Sequence, residues 1–240
     1  MATGRFIVLE GLDGSGITTQ TELLRTWCEG RGVSVYVTKE PSDGPAGSII
    51  KQALKHRLQG LTPDALALLF AADRLDHVMS EIKPALSRGY NVVCDRYYLS
   101  SYAYQLVEVP DLDWLKSINN RCPSPDLTIY LDVPPKDCLQ RIRSDVWRGS
   151  DQLQLYEEPS YLDKVRRNFL SVIRELGKQE RIQIVDGTQQ MRDIEKAVVS
   201  LVTDMLPLPS RSTRPGRKPS ARQSGSEQVS AILRGDAIPS

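Results

Sequence analysis

The sequence predicts an α/β fold, in which helices cover both faces of a parallel sheet. Five short runs rich in β-branched residues alternate with longer amphipathic stretches along the 240 residues, an order typical of parallel sheets. The runs are apolar nearly throughout, as expected for strands buried on both faces. The predicted strands are Phe6–Leu9, Val33–Val37, Asn91–Cys94, Leu127–Leu131 and Ile182–Val185.

Helical periodicity fills the segments around these strands. A glycine-rich turn separates the first strand from a helical pattern at 18–29, and Gly, Pro, Asp or Arg bounds most of the other runs. The remaining helical patterns lie at about 47–58, 63–88, 98–120, 135–144, 158–178 and 190–205.

Composition excludes several classes of protein. Thirty-one Lys and Arg residues face 30 Asp and Glu, which argues against a strongly basic nucleic-acid coat and against a wholly disordered chain. The four cysteines form no C-x-x-C pair and there are two histidines, so a zinc site is not expected. The first apolar run is too short for a signal peptide, and no stretch approaches a membrane span. We therefore expect a soluble, cytoplasmic protein with no membrane partner.

The composition changes abruptly at Pro207. Residues 207–240 contain five Pro, seven Ser and three Gly, with six basic and two acidic residues. Such a segment has too little apolar surface to offset its ordering entropy. We predict one domain over 1–206 and a disordered, basic Pro/Ser-rich tail over 207–240. No specific nucleic acid is expected as a partner, although weak contact of the tail with an anionic partner stays open.

A broken phosphate-binding motif follows the first strand. Gly11 to Thr18 matches G-x-x-x-x-G-K-[ST] except that Ile17 stands where lysine belongs. Glycines in such a turn let backbone N–H groups cradle phosphate oxygens at a helix N-terminus, and the Thr18 hydroxyl could ligate Mg²⁺. A plain glycine-rich turn is the alternative. The predicted phosphate-binding residues are Gly11, Leu12, Asp13, Gly14, Ser15, Gly16, Ile17, Thr18 and Thr19.

Further motifs occur in an order and spacing that resemble the thymidylate (dTMP) kinase family. They are Lys39-Glu-Pro41, Leu69–Arg74, Asp95-Arg-Tyr97 with Ser100, Ala103-Tyr-Gln105, and Pro125–Asp132. The resemblance covers roughly residues 4–205 and is of the bacterial type, because Gly14 stands in the loop where other members carry arginine. It implies a P-loop nucleoside-monophosphate kinase fold with a five-stranded parallel sheet. It also implies transfer of phosphate from ATP to dTMP with Mg²⁺, in dTTP synthesis, by a homodimer.

The resemblance assigns the acceptor site. Phe70 and Arg74 are four residues apart, hence on one helix face, and would stack on thymine and donate to its carbonyl. Gln105 would read the base, and Tyr104 would exclude a ribose 2′-hydroxyl. The other implied dTMP-binding residues are Asp13, Glu40, Lys51, Arg96 and Ser100.

The resemblance also implies the catalytic groups. Asp95 follows a buried strand and corresponds to the Mg²⁺-associated acid, together with Thr18, while Arg96 would bridge the phosphates. A lid at about 141–156 would close over them, with Arg143 and Arg148 as catalytic cations and Arg141 near the adenine. We expect Arg148 to take over the work of the lysine missing at position 17.

Two functions of different classes remain open at this point. Ile17, and Gln152 where the lid pattern has arginine, favour a degenerate family member that binds a nucleotide as a regulatory or scaffold module. The otherwise complete acceptor pocket favours an active kinase, because a scaffold has little need to read a base. Another pyrimidine acceptor such as dUMP also stays open.

Overall fold

Five parallel strands form the centre of the computed structural model, which describes residues 4–55, 58, 60–144 and 158–206. They are β1 (Phe6–Gly11), β2 (Val35–Lys39), β3 (Asn91–Asp95), β4 (Leu127–Asp132) and β5 (Ile182–Asp186), in the order β2-β3-β1-β4-β5. Every neighbouring pair is parallel. The predicted α/β class and parallel sheet are confirmed.

Helices connect the strands and lie on both faces of the sheet. They are α1 (Ile17–Gly30), α2 (Pro45–Leu54), α3 (Pro63–His77), α4 (Lys83–Ser87), α5 (Tyr98–Gln105), α6 (Leu112–Asn119), α7 (Pro135–Ser144), α8 (Pro159–Leu176) and α9 (Met191–Val202). A π-helical turn at Val78–Ile82 joins α3 to α4, so the long pattern at 63–88 is one nearly continuous rod. The pattern at 98–120 is instead two helices. Pro110 interrupts it, and Asp111 caps α6 by accepting a hydrogen bond from the Trp114 N–H at 2.9 Å.

Alternate side chains of the strands enter two separate cores, because successive residues of a strand point to opposite faces. Phe6 and Val8 of β1 pack with the cluster that contains helices α3, α5 and α8. Ile7 and Leu9 pack with the cluster that contains α1 and α9. The fold therefore places α1, which begins directly after the glycine-rich turn, against one face of the sheet.

The two edge strands differ from the prediction. β1, β3 and β4 are buried almost throughout, whereas β2 is half-buried or exposed and Ile184 of β5 is 52% exposed. β2 also runs two residues later than the apolar run at 33–37, because Thr38 and Lys39 continue the ladder opposite Cys94 and Asp95. In the described part of the chain, no helix is both long and apolar enough to cross a membrane.

Candidate active site

The glycine-rich turn after β1 forms a loop at the carboxyl edge of the sheet. Gly14 and Gly16 have φ of +80° and +97°, the left-handed region that favours glycine. A Cβ at Gly14 would lie 2.5 Å from the carbonyl oxygen of Cys138, so the loop also packs tightly against α7. Gly16 is the N-cap of α1. The turn thus opens a helix N-terminus towards a cavity of about 700 Å³.

Part of the predicted phosphate-binding set lines this cavity. The lining members are Asp13, Gly14, Gly16, Ile17, Thr18 and Thr19. Gly11 instead lies beneath the loop, where its carbonyl oxygen accepts a hydrogen bond from Arg96 at 2.8 Å. Leu12 and Ser15 are 0% and 1% exposed as whole residues and do not line this cavity.

Thr18 and Asp95 meet at the edge of the cavity. The Thr18 hydroxyl donates to the Asp95 carboxylate, with 2.6 Å between the oxygens. Burial raises the pKa of Asp95, while the charge of Arg96 and the Thr18 hydrogen bond act in the opposite direction. A hydroxyl and a carboxylate are the oxygen ligands that Mg²⁺ accepts beside substrate phosphates, so this pair fits the predicted metal site.

Arg96 is held in an unusual backbone conformation. Its φ of 70° is the one positive value among the described non-glycine residues, a strain of about 1–3 kcal/mol that clusters at functional sites. The guanidinium donates to Ser100 Oγ at 3.2 Å and to Asp13 Oδ1 at 2.9 Å. Arg96 is thereby fixed between the phosphate loop and α5.

Glu10, which the motifs did not single out, supports this conformation from below. Its Oε1 accepts from the N–H groups of Tyr97 and Ser100 at 2.9 and 3.1 Å, and its Oε2 accepts from the Ser100 hydroxyl. Burial raises the pKa of Glu10 to about 7, against the effect of these hydrogen bonds and of Arg96. A lone acid in an otherwise apolar strand, directly before a glycine-rich turn, was the available signal for it.

A second cavity adjoins the first and contains the predicted base-reading residues. Phe70, Arg74, Ser100, Tyr104 and Gln105 all line it. The structure thus brings Phe70 and Arg74 together from one face of α3, as their spacing predicts. The amide oxygen of Gln105 is buried there without a hydrogen-bond partner among the described residues, so it is available to a donor on a ligand.

Arg74 is almost fully buried and is bound by protein groups as well as facing the cavity. It is 1% exposed, and its Nε donates to Glu40 at 2.8 Å. Its two Nη atoms donate to Asn119 at 2.6 Å and to Ser101 at 2.8 Å. These three bonds leave two of the five guanidinium N–H groups for a further acceptor.

Glu40 links this arginine to a buried histidine. His77 Nδ1 lies 3.2 Å from Glu40 Oε1, and His77 Nε2 lies 2.7 Å from Thr38 Oγ1. Asp73, on the same helix, accepts from the backbone N–H and the hydroxyl of Ser42. The motifs assigned no role to Asp73 and His77, although polar residues four apart beside Arg74 on one helix were a signal for them.

Tyr104 and Lys51 complete the predicted acceptor residues. Tyr104 donates its hydroxyl to Asp13 Oδ2 at 2.8 Å, which fixes the ring beside the phosphate loop. Lys51 lines the phosphate-loop cavity rather than the second cavity, and its ammonium pairs with Asp43 at 2.5 Å.

The lid arginines have different surroundings. Arg141 lines the phosphate-loop cavity and donates to the carbonyl oxygens of Ser15 and Gly187 at 3.2 and 2.9 Å. Arg143 lines a separate cavity with Pro135 and Asp163 and is not among the residues that line the phosphate-loop cavity. Arg148 and the rest of the lid from 145 to 156 lie outside the described residues, as does the tail over 207–240.

The fold and the site together define a class of enzyme. A parallel sheet of this strand order, a phosphate loop after β1 and an adjoining cavity that contains Phe70, Arg74 and Gln105 are the features of a P-loop nucleoside-monophosphate kinase.

Comparison with known proteins gives the family. The chain belongs to the thymidylate kinase family, whose model matches residues 9–198. Probable thymidylate kinases of Pyrococcus horikoshii and Pyrococcus abyssi are 43% and 42% identical to it over 208 residues, which cover 85% of this chain and 98% of each relative. The probable thymidylate kinase of Thermococcus kodakarensis is 38% identical over 208 residues, 84% of this chain and 98% of that relative. The chain is thus a nucleoside-monophosphate kinase, and the degenerate alternative finds no support among these relatives.

Proposed function

We propose that the protein transfers the γ-phosphoryl group of ATP to dTMP and forms ADP and dTDP, a step in dTTP synthesis. One observation carries this proposal most directly. The phosphate-loop cavity, at the N-terminus of α1, adjoins the second cavity, which contains Phe70 and Arg74 and is called the acceptor cavity from here on. Asp13 and Arg96 line both cavities. A donor triphosphate in the first and an acceptor monophosphate in the second would meet at these two side chains.

The acceptor cavity is suited to a pyrimidine deoxynucleotide. Phe70 offers a ring face for stacking, and the two remaining N–H groups of Arg74 can donate to a base carbonyl. The unpartnered amide oxygen of Gln105 can accept from the base N–H. Tyr104, anchored to Asp13, supports selection against a 2′-hydroxyl, and Glu40 and Ser100 would act by holding Arg74 and Arg96.

Catalysis would consist of positioning and charge neutralisation, because phosphoryl transfer needs little covalent help. Arg96 would hold the donor and acceptor phosphates bidentately through its planar fork. The backbone N–H groups of the loop would bind the donor phosphates, with Arg141 near the adenine. Lys51 would steer the acceptor phosphate.

Thr18 and Asp95 would hold Mg²⁺, which when bound neutralises charge on the phosphates. The described residues contain no group of three or more His, Cys, Asp or Glu that could cage a metal. A site of one carboxylate and one hydroxyl, completed by substrate phosphates and water, is the usual arrangement for this ion.

A coupled assay of ADP formation tests the proposal, with dTMP, dUMP, dCMP and dGMP as separate acceptors. We expect turnover with dTMP to exceed turnover with each of the others. Arg96→Met should lower kcat about 10²-fold or more, since it removes the shared phosphate ligand. ADP formation that does not depend on any monophosphate would contradict a kinase acting on dTMP. A higher turnover with dUMP than with dTMP would still show a nucleoside-monophosphate kinase, but it would contradict dTMP as the preferred acceptor.

Assembly and the lid add further proposals. The family resemblance favours a homodimer in the cytoplasm. Sedimentation of the purified chain would test the dimer. Closure of the lid would bring Arg143 and Arg148 to the transferring phosphate.

A further inference from the structure

The phosphate loop lacks its usual cation. In loops of this kind a lysine at position 17 places an ammonium on the β- and γ-phosphates. Ile17 is 4% exposed and packs in the same core cluster as Leu9 and Leu24. Its side chain cannot neutralise phosphate charge, so a positive group must reach that space from elsewhere.

Most described cations of the phosphate-loop cavity already have partners. Arg96 is bound to Asp13, and Arg141 to two backbone carbonyls. Lys51 pairs with Asp43. Of the lysines and arginines that line the cavity in the described ranges, Lys39 and Lys55 have side-chain ammonium groups with no hydrogen bond or ion pair.

Lys39 is the better placed of these two lysines. It is the last residue of β2 and is paired in register with Asp95 on β3. Val35 and Val37 of the same strand pack in the cluster that contains Ile17, so the two-residue period of a strand puts Lys39 on the side of the sheet that carries the start of α1. Lys55 instead caps the C-terminus of α2 and is not part of a strand.

The surroundings of Lys39 are those of the transferring phosphates. It lines the phosphate-loop cavity with Ile17 and Thr18, and it also lines a neighbouring cavity with Thr18 and Asp95. Burial raises the pKa of Asp95, and the charge of Arg96 and the charge of Lys39 act against that rise. An exposed, unpartnered ammonium therefore stands beside the proposed metal-binding pair.

We propose that Lys39 supplies, from the end of β2, the ammonium that the phosphate loop lacks at position 17. It would bind oxygens of the donor's β- and γ-phosphates and neutralise their charge during transfer. Lys39 keeps its proton and forms no covalent bond. An acceptor phosphate oxygen forms the new bond to the γ-phosphorus while the bond to the bridging oxygen breaks, and ADP leaves with that electron pair. The inference rests on the proposed function.

The test compares Lys39→Met, which keeps the chain length and removes the charge, with Lys39→Arg and with Lys178→Met. Lys178 is an exposed lysine after α8, remote in the chain from every residue of the site, and serves as the matched control. We expect Lys39→Met to lower kcat about 10²-fold with little change in the KM for dTMP. Lys39→Arg should keep most of the activity and Lys178→Met all of it. Adding Ile17→Lys to Lys39→Met should restore part of kcat, because one cation then replaces the other.

A binding measurement separates this inference from the proposed function. Calorimetry gives the affinities of wild type and Lys39→Met for the β,γ-imido analogue of ATP and for ADP. We expect the variant to lose most of the preference for the triphosphate, about tenfold or more. A kcat within twofold of wild type, or an unchanged preference, would overturn the role of Lys39. If the wild type turns over no dTMP, the proposed function fails, and the binding ratio alone decides the role of Lys39.

Discussion

Replacing Arg74 by alanine should separate base recognition from donor binding. Arg74 lines the acceptor cavity and does not line the phosphate-loop cavity. The change removes a charged donor to a base carbonyl, which is worth about 1.5–3 kcal/mol. Since 1.4 kcal/mol corresponds to a factor of ten, the KM for dTMP should rise roughly 10- to 150-fold, while the KM for ATP stays nearly constant.

The same change should also destabilise the protein. Glu40 is 6% exposed and would lose the 2.8 Å hydrogen bond from Arg74 Nε, and Asn119 and Ser101 would lose their donors. Removing one partner of a buried ion pair costs about 3–5 kcal/mol. For a domain of about 200 residues, that corresponds to a fall in Tm of roughly 6–20 °C.

Steady-state kinetics must therefore be measured well below the Tm of the variant, with thermal unfolding recorded in parallel. The double variant Arg74→Ala, Glu40→Gln is the control, because it removes the unpaired charge and should recover part of the lost stability without recovering the KM. An unchanged KM for dTMP in a folded Arg74→Ala protein would refute the assignment of Arg74 to the base. An equal rise in the KM for ATP would show that the change disturbs the whole site.

Three further predictions concern other parts of the molecule. Burial raises the pKa of Glu10 from its ordinary 4.5 to about 7 in the folded protein. The folded state therefore binds this proton more tightly than the unfolded state, and the resulting contribution to stability is complete below pH 4.5 and is lost as the pH rises through 7. Glu10→Gln should abolish that contribution to the pH slope, about 3 kcal/mol, in urea unfolding at pH 4.5 and 8; an unchanged slope would contradict it. Truncation after Leu206 should leave Tm and activity nearly unchanged. Leu206 itself is 2% exposed, so Leu206→Ala should leave a cavity and lower the free energy of unfolding by about 2–5 kcal/mol. A large fall in Tm on truncation alone would show that the tail docks on the domain. Arg148→Ala should lower kcat on the order of 10³-fold through loss of a lid cation, without rescue by Ile17→Lys, because Lys39 supplies the charge missing at position 17; rescue by Ile17→Lys would assign that charge to Arg148 instead.

The sequence predicted the fold well because its strongest signals are periodic and local. The apolar runs of β1, β3 and β4 lie in the sheet interior, where burial and strand propensity favour the same state. The end of β2 was missed because Thr38 and Lys39 are polar, and a strand at the sheet edge can end in polar residues while its backbone continues the ladder. That two-residue difference puts Lys39 opposite Asp95.

The candidate site was predictable where residues lie close together in the chain. The spacing of Phe70 and Arg74 was enough to place both on one helix face. The contacts that hold them cross long stretches of chain, since Arg74 meets Glu40 and Asn119, 34 and 45 residues away. A single sequence contains no signal for such pairings. The family resemblance places the charge missing at position 17 in the lid, whereas the proximity of Lys39 to the phosphate loop depends on the strand order, which the sequence alone does not show.

Transfer of a labelled phosphate shows whether the protein moves the γ-phosphoryl group of ATP to dTMP. The full-length protein is incubated with Mg²⁺, dTMP and ATP that carries a radioactive γ-phosphate, and the nucleotides are separated. We expect the label to appear in dTDP in an amount equal to the ADP formed, and no label to be transferred without dTMP. Label released as inorganic phosphate, or retained in ATP while dTMP is bound, would contradict this transfer.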